Sequence, residues 1–456
     1  MPAFSPEHLL SRLAPLCGAG RCWIAYSGGM DSQVLLHAAA AVRDRLPPEL
    51  RAVHLDHGLH PDAPQWADHC RASCTRLALP LEVLRLGVRP RRGESLEAAA
   101  REARYAALAS LLESGDLLLT AHHRRDQAET LLLALMRGSG VRGLAAMSVV
   151  SPLGTGRLVR PLLDVRRAEL AAYARRHGLG WVSDPSNQDL DRDRNFLRHR
   201  VLPVLVERWP AAEVALARTA GHCLEADHLI ADLAAQTVAG LSGGRPATLS
   251  IRGLGRLDPA LRRAVLRHWI AERGFRLPDR KHLGRILSEV MTARSDATPL
   301  VAWSGCEIRR HRDDLFVLPP LPAVPGSEVL RWSTAVLRLP SDLGELRLLD
   351  SEGAEMDPKT VCAGGLRVRF GVQGASWWDQ ASGHHRSLKK LFQEGGVPAW
   401  LRPYVPLVFA QDALMGVGGL SLRWPSGPEE RRSLVVRWEG CPWRDLVAFA
   451  RCQSTP

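Results

Sequence analysis

Ser27-Gly28-Gly29-Met30-Asp31-Ser32 lies between a short apolar run, Cys22–Tyr26, and an apolar helical pattern beginning near Gln33. A strand, a glycine-rich turn and a helix in that order is how an α/β chain builds a phosphate site. Glycines let the backbone approach an anion, and the helix N-terminus offers unpaired N–H groups and a favourable dipole. Ser27 and Ser32 can add hydroxyl donors, and Asp31 can hold a magnesium ion against the phosphates. A helix-capping turn would account for a bare Ser-Gly-Gly. The full S-G-G-x-D-S after a strand is more specific and points to phosphate binding. The lysine-containing pattern G-x-x-x-x-G-K-[ST] is absent, so this is not an ordinary P-loop.

The surrounding residues, 20–185, alternate short apolar runs with helical patterns. Strands are expected at Cys22–Tyr26, Arg51–Leu55, Leu81–Leu86 and Leu117–Ala121, with helices near 33–43, 62–77 and 95–113. This predicts an α/β fold, a parallel sheet with helices on both faces. Ligands of such sheets sit at the carboxyl ends of the strands, so the first loop and His122–Thr130 should share a crevice. After Trp209-Pro210 the pattern becomes helical, roughly 211–240 and 259–292, closed by a β-like stretch, Leu300–Val317. Pro319, Pro320, Pro322 and Pro325 mark a linker. Short strand-like runs follow at Leu346–Leu349, Leu366–Phe370, Val405–Phe409 and Leu414–Val417, interrupted by a basic helical turn around 386–394. The expected organisation is an α/β domain over 1–210, a mainly helical middle domain over 211–320, a proline-rich linker over 321–335, and a small α+β C-terminal domain over 336–456.

A chain of 456 residues exceeds one ordinary core and suits two or three domains. No run approaches the ~20 apolar residues of a membrane span, and the start, MPAFSPEHLL, lacks the pattern of a signal peptide. The nine cysteines include no C-x-x-C pair. Cys70 and Cys74 share a helix face and read as buried thiols. A cytoplasmic protein without a membrane partner is expected. The net charge of +12 favours a polyanionic partner. Only four lysines occur, at 281, 359, 389 and 390. So strong an arginine bias partly reflects composition and weakens that inference.

Several other clusters carry chemistry. His54 and Asp56, in His54-Leu55-Asp56-His57-Gly58, end the second strand and should face the crevice within reach of a nucleotide; a turn feature is the plainer account. Arg101 and Arg104 fall at i, i+3 on the third helix and can project from one face, as a solvated arginine face also would. Asp126 and Glu129 are three apart at a helix start and share a face. They suit an ammonium group or a magnesium ion, or simply complement the helix dipole. Arg194 and Arg198, at i, i+4, present two cations for phosphate or RNA, with ion pairing to nearby aspartates as the competing account. The Lys389-Lys390 pair stands out in an arginine-dominated chain and suits flexible phosphate contacts.

Together these segments resemble the tRNA(Ile)-lysidine synthetases of the N-type ATP pyrophosphatase (PP-loop) superfamily, in the long form with a C-terminal extension. The matching residues are S-G-G-M-D-S, H-x-D-H-G-L, R-E-A-R-Y, A-H-H…D-Q-A-E-T, R-G-S-G, R-P-L-L at 160–163, S-D-P-S-N at 183–187 and R-N-F-L-R at 194–198. The match resumes with Ser387–Phe392, Gly396–Arg402 and Pro406-Leu407.

The resemblance implies a PP-loop, Rossmann-like N-terminal domain and an ATP-dependent ligase. Such enzymes adenylate carbon 2 of the wobble cytidine of a CAU anticodon, and free L-lysine then displaces AMP. It implies ATP contacts from Ser27, Gly28, Gly29, Met30, Asp31, Ser32, His54 and Asp56. It places Asp31, Arg104, Asp126 and Glu129 in the catalytic set, with magnesium on Asp31. tRNA(Ile) contacts would fall to Arg194, Asn195, Arg198, Lys389, Lys390 and Arg402. A homodimer is compatible with the sequence, which does not fix the oligomeric state. The family usually shows two adjacent aspartates in A-H-H-x-D-D, and here the first position is Arg125. A tRNA thiolase is disfavoured by the absence of C-x-x-C, and an amidotransferase by the absence of a glutaminase constellation. A catalytically inactive RNA-binding protein is disfavoured by the intact Asp31, Asp126 and Glu129.

Overall fold

The strand Cys22–Ala25 (β1) is buried along nearly its whole length, as a strand covered on both faces must be. The computed structural model describes residues 4–46, 49–56, 58, 61–87, 96–294, 297–326, 328–350, 352–361, 365–372, 374, 376–379, 384–418, 421–423 and 433–441. They form two compact units, 1–229 and 230–456.

In the first unit β1 pairs in parallel with Leu50–Asp56 (β2) and Leu117–Leu119 (β4), β2 with Leu81–Arg85 (β3), and β4 with Gly156–Val159 (β6). Val150–Leu153 (β5) turns back antiparallel on β6, an edge hairpin the sequence reading missed. The six-stranded order is β3-β2-β1-β4-β6-β5. The chain leaves β1 for β2 and β3 on one side and crosses back from β3 to β4 on the other, which puts the turn after β1 at the topological switch point. The helices are Pro6–Leu13 (α1), Met30–Ala41 (α2), Ala63–Arg76 (α3), Leu96–Leu111 (α4), Arg124–Met136 (α5), Val141–Leu144 (α6) and Arg167–Arg176 (α7). Leu35, Leu36, Ile24, Leu119 and Tyr173 meet in one core layer, and Trp23, Val53, Leu118 and Leu158 in the other. Asp193–Phe196 (α8), a π turn over Leu197–Val201 and Leu202–Arg208 (α9) run on continuously. Ala212–Ala239 (α10) spans the division between the units.

The second unit corrects the reading in two places, the helix over 259–292 and the linker, and has strands at the expected β-like stretch, Leu300–Val317. The helix expected over 259–292 is Pro259–Glu272 (α12), then Arg280–Arg285 (α13) with a π turn to Val290. Gly274 at φ +78° and the following Pro278 prevent one continuous helix. The mainly helical middle also carries a four-stranded antiparallel sheet of Leu249–Ser250 (β7), Leu300–Trp303 (β8), Cys306–His311 (β9) and Asp314–Leu318 (β10). A short helix, Ile251–Arg256 (α11), follows β7 directly. Leu330–Trp332 (β11), inside the expected linker, pairs with Leu366–Arg369 (β14), and Trp332 is fully buried. The prolines end before this strand, so nothing prevents it from pairing.

The remaining elements are Val336–Arg338 (β12), Glu345–Leu349 (β13), Pro358–Val361 (α14), Ser376–Asp379 (β15), His384–Ser387 (β16), Leu388–Glu394 (α15), Leu407–Ala410 (β17), Ala413–Val417 (β18), Ser421–Arg423 (β19) and Ser433–Glu439 (β20). β11-β14-β17-β18 and β12-β13-β20-β19 form two four-stranded sheets. In β10 the side chains alternate between cores. Leu315 packs with the helical middle, while Phe316 and Leu318 join the C-terminal core.

Candidate nucleotide site and its acidic pair

The turn after β1 is held from several sides. Val182 N–H donates to the Gly28 carbonyl at 3.0 Å. Gly28 has φ +81°, and a Cβ there would lie 2.9 Å from Val182 Cγ2 and 3.1 Å from Cys70 Sγ, so only glycine fits. Within the loop, Ser32 Oγ donates to the Gly29 carbonyl at 2.9 Å and lies 3.0 Å from Ser27 Oγ. Ser32 is buried, so its hydroxyl shapes the loop from inside, whereas Ser27 is exposed. Gly29 is the N-cap of α2 and supplies no side-chain acceptor. Gly29 N–H donates to Ser27 Oγ at 3.4 Å, and an anion at this helix start would complement the N–H groups that follow it. Met30 and Asp31 follow as the first helical residues.

His54 does not face the crevice as the sequence suggests. It is buried, with Nδ1 2.9 Å from the Tyr26 carbonyl and 3.4 Å from Cys70 Sγ. It braces the end of β1 beneath the loop. Asp56 is half-buried at the end of β2, where Oδ1 accepts from Gly58 N–H at 2.8 Å. Its other oxygen lies 3.8 Å from Arg85 Nε. His57 lies outside the described residues.

A line of polar groups runs from the loop to α5. His123 is buried, with Nε2 3.6 Å from Asp31 Oδ2 and Nδ1 3.5 Å from Asp126 Oδ2. Asp126 closes the start of α5 by accepting from His123 N–H at 2.9 Å. One turn further, Glu129 is completely buried. Arg194 spans the two carboxylates, Nε to Glu129 at 2.7 Å and NH2 to Asp126 at 2.8 Å. Arg198 also reaches both, at 2.7 and 2.9 Å to Glu129 and 3.2 Å to Asp126. These arginines are ion-paired, though to Asp126 and Glu129, 65 to 72 positions away, and not to the nearby aspartates of the competing account.

Burial pushes the Asp126 carboxyl up, but His123, Arg194, His122 and the His123 N–H outweigh it and hold the group below its usual range. Burial disfavours charge on Arg198, and Glu129, Asp126 and Asp31 more than restore it. His122, whose Nδ1 lies 2.9 Å from Thr120 Oγ1, is pushed down to about 4 by burial and by Arg160 and Arg194, against the pull of Asp126.

Asn195, read as an RNA contact, has an internal place instead. It is buried and its amide donates to the Ser186 and Asp189 carbonyls at 3.0 and 2.8 Å. Arg125, at the position of the missing aspartate, donates from Nε to Glu213 Oε1 at 2.7 Å. Arg104 is exposed on α4, and the Arg101 guanidinium lies 5.1 Å from the Tyr105 ring centre. The sequence reading missed His123, Glu213 and Gln127, whose amide bonds both N–H and carbonyl of Met147. His123 and Gln127 had a local signal in the A-H-H…D-Q-A-E-T run, and Glu213 had none.

In the second unit, Lys389 and Lys390 are exposed on α15, while Leu388 and Phe392 face the core. Arg402 is half-buried and donates from Nε to the Val397 carbonyl at 3.2 Å. Among the described residues, no three His, Cys, Asp or Glu side chains could hold a metal by themselves. No described helix is long and apolar enough to cross a membrane.

Three family models match the chain: a PP-loop domain over residues 6–205, a TilS substrate binding domain over 249–316, and a TilS substrate C-terminal domain over 366–438. A tRNA(Ile)-lysidine synthase of Alkalilimnicola ehrlichii is 44% identical over 421 residues, covering 92% of this chain and 94% of the relative. One of Methylococcus capsulatus is 42% identical, covering 91% and 95%. One of Pectobacterium atrosepticum is 44% identical, covering 91% and 93%.

Proposed function

The chain belongs to the tRNA(Ile)-lysidine synthase family, and from that premise we propose that it ligates free L-lysine to carbon 2 of the wobble cytidine in the CAU anticodon of tRNA(Ile), with ATP converted to AMP and diphosphate. The observation that carries this reading is the continuous line from the phosphate loop through Asp31 and His123 to Asp126 and Glu129. It supports placing the activation of an oxygen and the arrival of an amine side by side.

The C2 oxygen of cytosine is a poor leaving group, and bonding it to the α-phosphorus of ATP makes it a good one. In that step the oxygen attacks phosphorus, the bond to diphosphate breaks, and charge builds on the departing oxygens. Backbone N–H groups at the start of α2 stabilise that charge without reorganising. Asp31 Oδ1 is buried and has no hydrogen-bond partner, a donor that fits magnesium bound jointly with phosphates. Magnesium, when bound there, would neutralise part of the diphosphate charge.

The lysine amine then attacks carbon 2 and AMP leaves with the former C2 oxygen. Its reference pKa of about 10.4 requires a proton to be lost before or during attack. Asp126 and Glu129 are suited to orient the ammonium form. Both already hold guanidinium groups, so lysine must share them with, or displace, Arg194 or Arg198. Lys389, Lys390 and Arg402 are the exposed or half-buried cations we assign to the tRNA backbone.

The test is incubation with ATP, labelled lysine and transcribed tRNA(Ile) bearing CAU. Label should enter that tRNA with AMP release, and not a transcript with another anticodon. A folded protein that forms AMP but transfers no lysine would overturn the assignment. Asp31→Asn, similar in size but uncharged, should remove most turnover, with the greatest loss at limiting magnesium.

A further inference from the structure

Helix α15 carries Lys389 and Lys390 on its exposed side, and its last turn closes as a Schellman motif. Gly396 N–H donates to the Gln393 carbonyl at 3.2 Å and Val397 N–H to the Phe392 carbonyl at 2.8 Å, with Gly396 at φ +67°. Those bonds leave carbonyl lone pairs at the negative end of the helix. Arginines of the middle sheet take them. Arg312, in the turn between β9 and β10, donates from NH2 to the Gln393 carbonyl at 2.9 Å. Arg245, ahead of β7, donates to the Gly396 carbonyl. A Cβ on Gly396 would lie 3.0 Å from Arg245 NH2 and 3.7 Å from Arg312 NH1, so both guanidiniums converge on this turn.

The adjoining chain is docked on the same sheet. Trp400 Nε1 donates to the Arg310 carbonyl at 3.3 Å, the Arg309 guanidinium lies 5.3 Å from the Trp400 ring, and Phe316 meets that ring edge-on at 5.3 Å. The lysine-bearing helix is therefore fastened at its carboxyl end to the β9–β10 hairpin.

We propose that Arg245 and Arg312 are positioning residues for tRNA binding, which hold α15 so that Lys389 and Lys390 meet the RNA backbone at a fixed place relative to the middle sheet. This rests on the reading that the lysine pair contacts RNA. The arginines act through the helix and do not themselves touch phosphate. Gly396 and Trp400, within the block that resembles the family, serve the same docking.

The test measures binding of a tRNA(Ile) transcript across a salt series to the full chain, with thermal midpoints as a folding control. Arg312→Ala should weaken binding roughly five- to tenfold. Arg312→Lys, which can still donate to the Gln393 carbonyl, should recover most of the loss. Arg245→Ala should behave like Arg312→Ala. The deciding arm starts from the Lys389→Ala, Lys390→Ala protein, where adding Arg312→Ala should change neither the affinity nor the salt slope further. A further drop in slope of somewhat under one unit there would mean that Arg312 contacts phosphate directly, and would overturn the proposal. Equal losses in both backgrounds would mark a general structural role and also overturn it. If the lysine double variant itself binds tRNA normally at every salt concentration, the RNA reading of the pair falls and this inference with it.

Discussion

Arg198 grips Glu129 through two parallel hydrogen bonds, Nε to Oε1 at 2.7 Å and NH2 to Oε2 at 2.9 Å, with Glu129 wholly out of solvent. Such a fork is geometrically specific, and a carboxylate left alone in that position would be costly. Arg198→Ala should lower stability by about 2–4 kcal/mol, less than the full cost of breaking a buried pair because Arg194 remains. Urea unfolding reads this directly. Where the variant still folds, its KM for lysine should fall, since one competitor for the acidic pair is gone. An unchanged KM would show that the guanidinium does not stand in lysine's way.

Arg125, standing where the resembled family's pattern would put an aspartate, is paired with Glu213. Arg125→Asp would set a carboxylate against Glu213 and add a third near Asp126 and Glu129. A loss of about 1 kcal/mol is expected for a pair of this partial burial. Adding Glu213→Arg should restore much of it in a double-mutant cycle. Independent, additive effects would show that the contact contributes nothing.

Gly28 and Gly29 should respond differently to alanine. Gly28→Ala forces a Cβ against Val182 and Cys70 at positive φ, with about 1–2 kcal/mol of backbone strain alone. Gly29→Ala meets only Ser27 Oγ at 3.5 Å, an ordinary contact. AMP formation should therefore collapse in the first variant and persist in the second if the backbone N–H groups alone bind phosphate. Equal tolerance of both would argue against the loop geometry described.

Two histidines make stability depend on pH in one direction. Burial and neighbouring cations push both His122 and His311 down to about 4 from 6.5. For His311 the cations are Arg245, Arg312 and Arg402. A folded pKa below the unfolded one means the unfolded chain binds more protons between those values. The contribution is therefore present above pH 6.5 and lost as pH falls toward 4. The lowered Asp126 carboxyl adds a loss in the same direction at more acid pH. Unfolding midpoints should drop between pH 7.5 and 5, and His311→Gln should flatten part of that slope in the second unit. A flat profile in the parent protein would contradict these environments.

What local spacing can dictate was legible in the sequence. The strand–turn–helix around Ser27–Ser32, the shared face of Asp126 and Glu129, and the outward Lys389-Lys390 over buried Leu388 and Phe392 all follow from periods of 2 and 3.6. Periodicity says which side chains share a face but not what meets that face. Only the tertiary structure decided that Arg194 and Arg198 close on carboxylates 65 to 72 positions away, that Arg125 finds Glu213, and that Arg312 caps a helix 81 positions on. It also turned His54 inward, because a β2 side chain level with Tyr26 faces the covering helix α3 and Cys70. Guanidinium and carboxylate groups with the same local pattern can serve RNA, substrate or one another. Packing settles the choice, because a buried charge must find its partner wherever the chain brings one within reach.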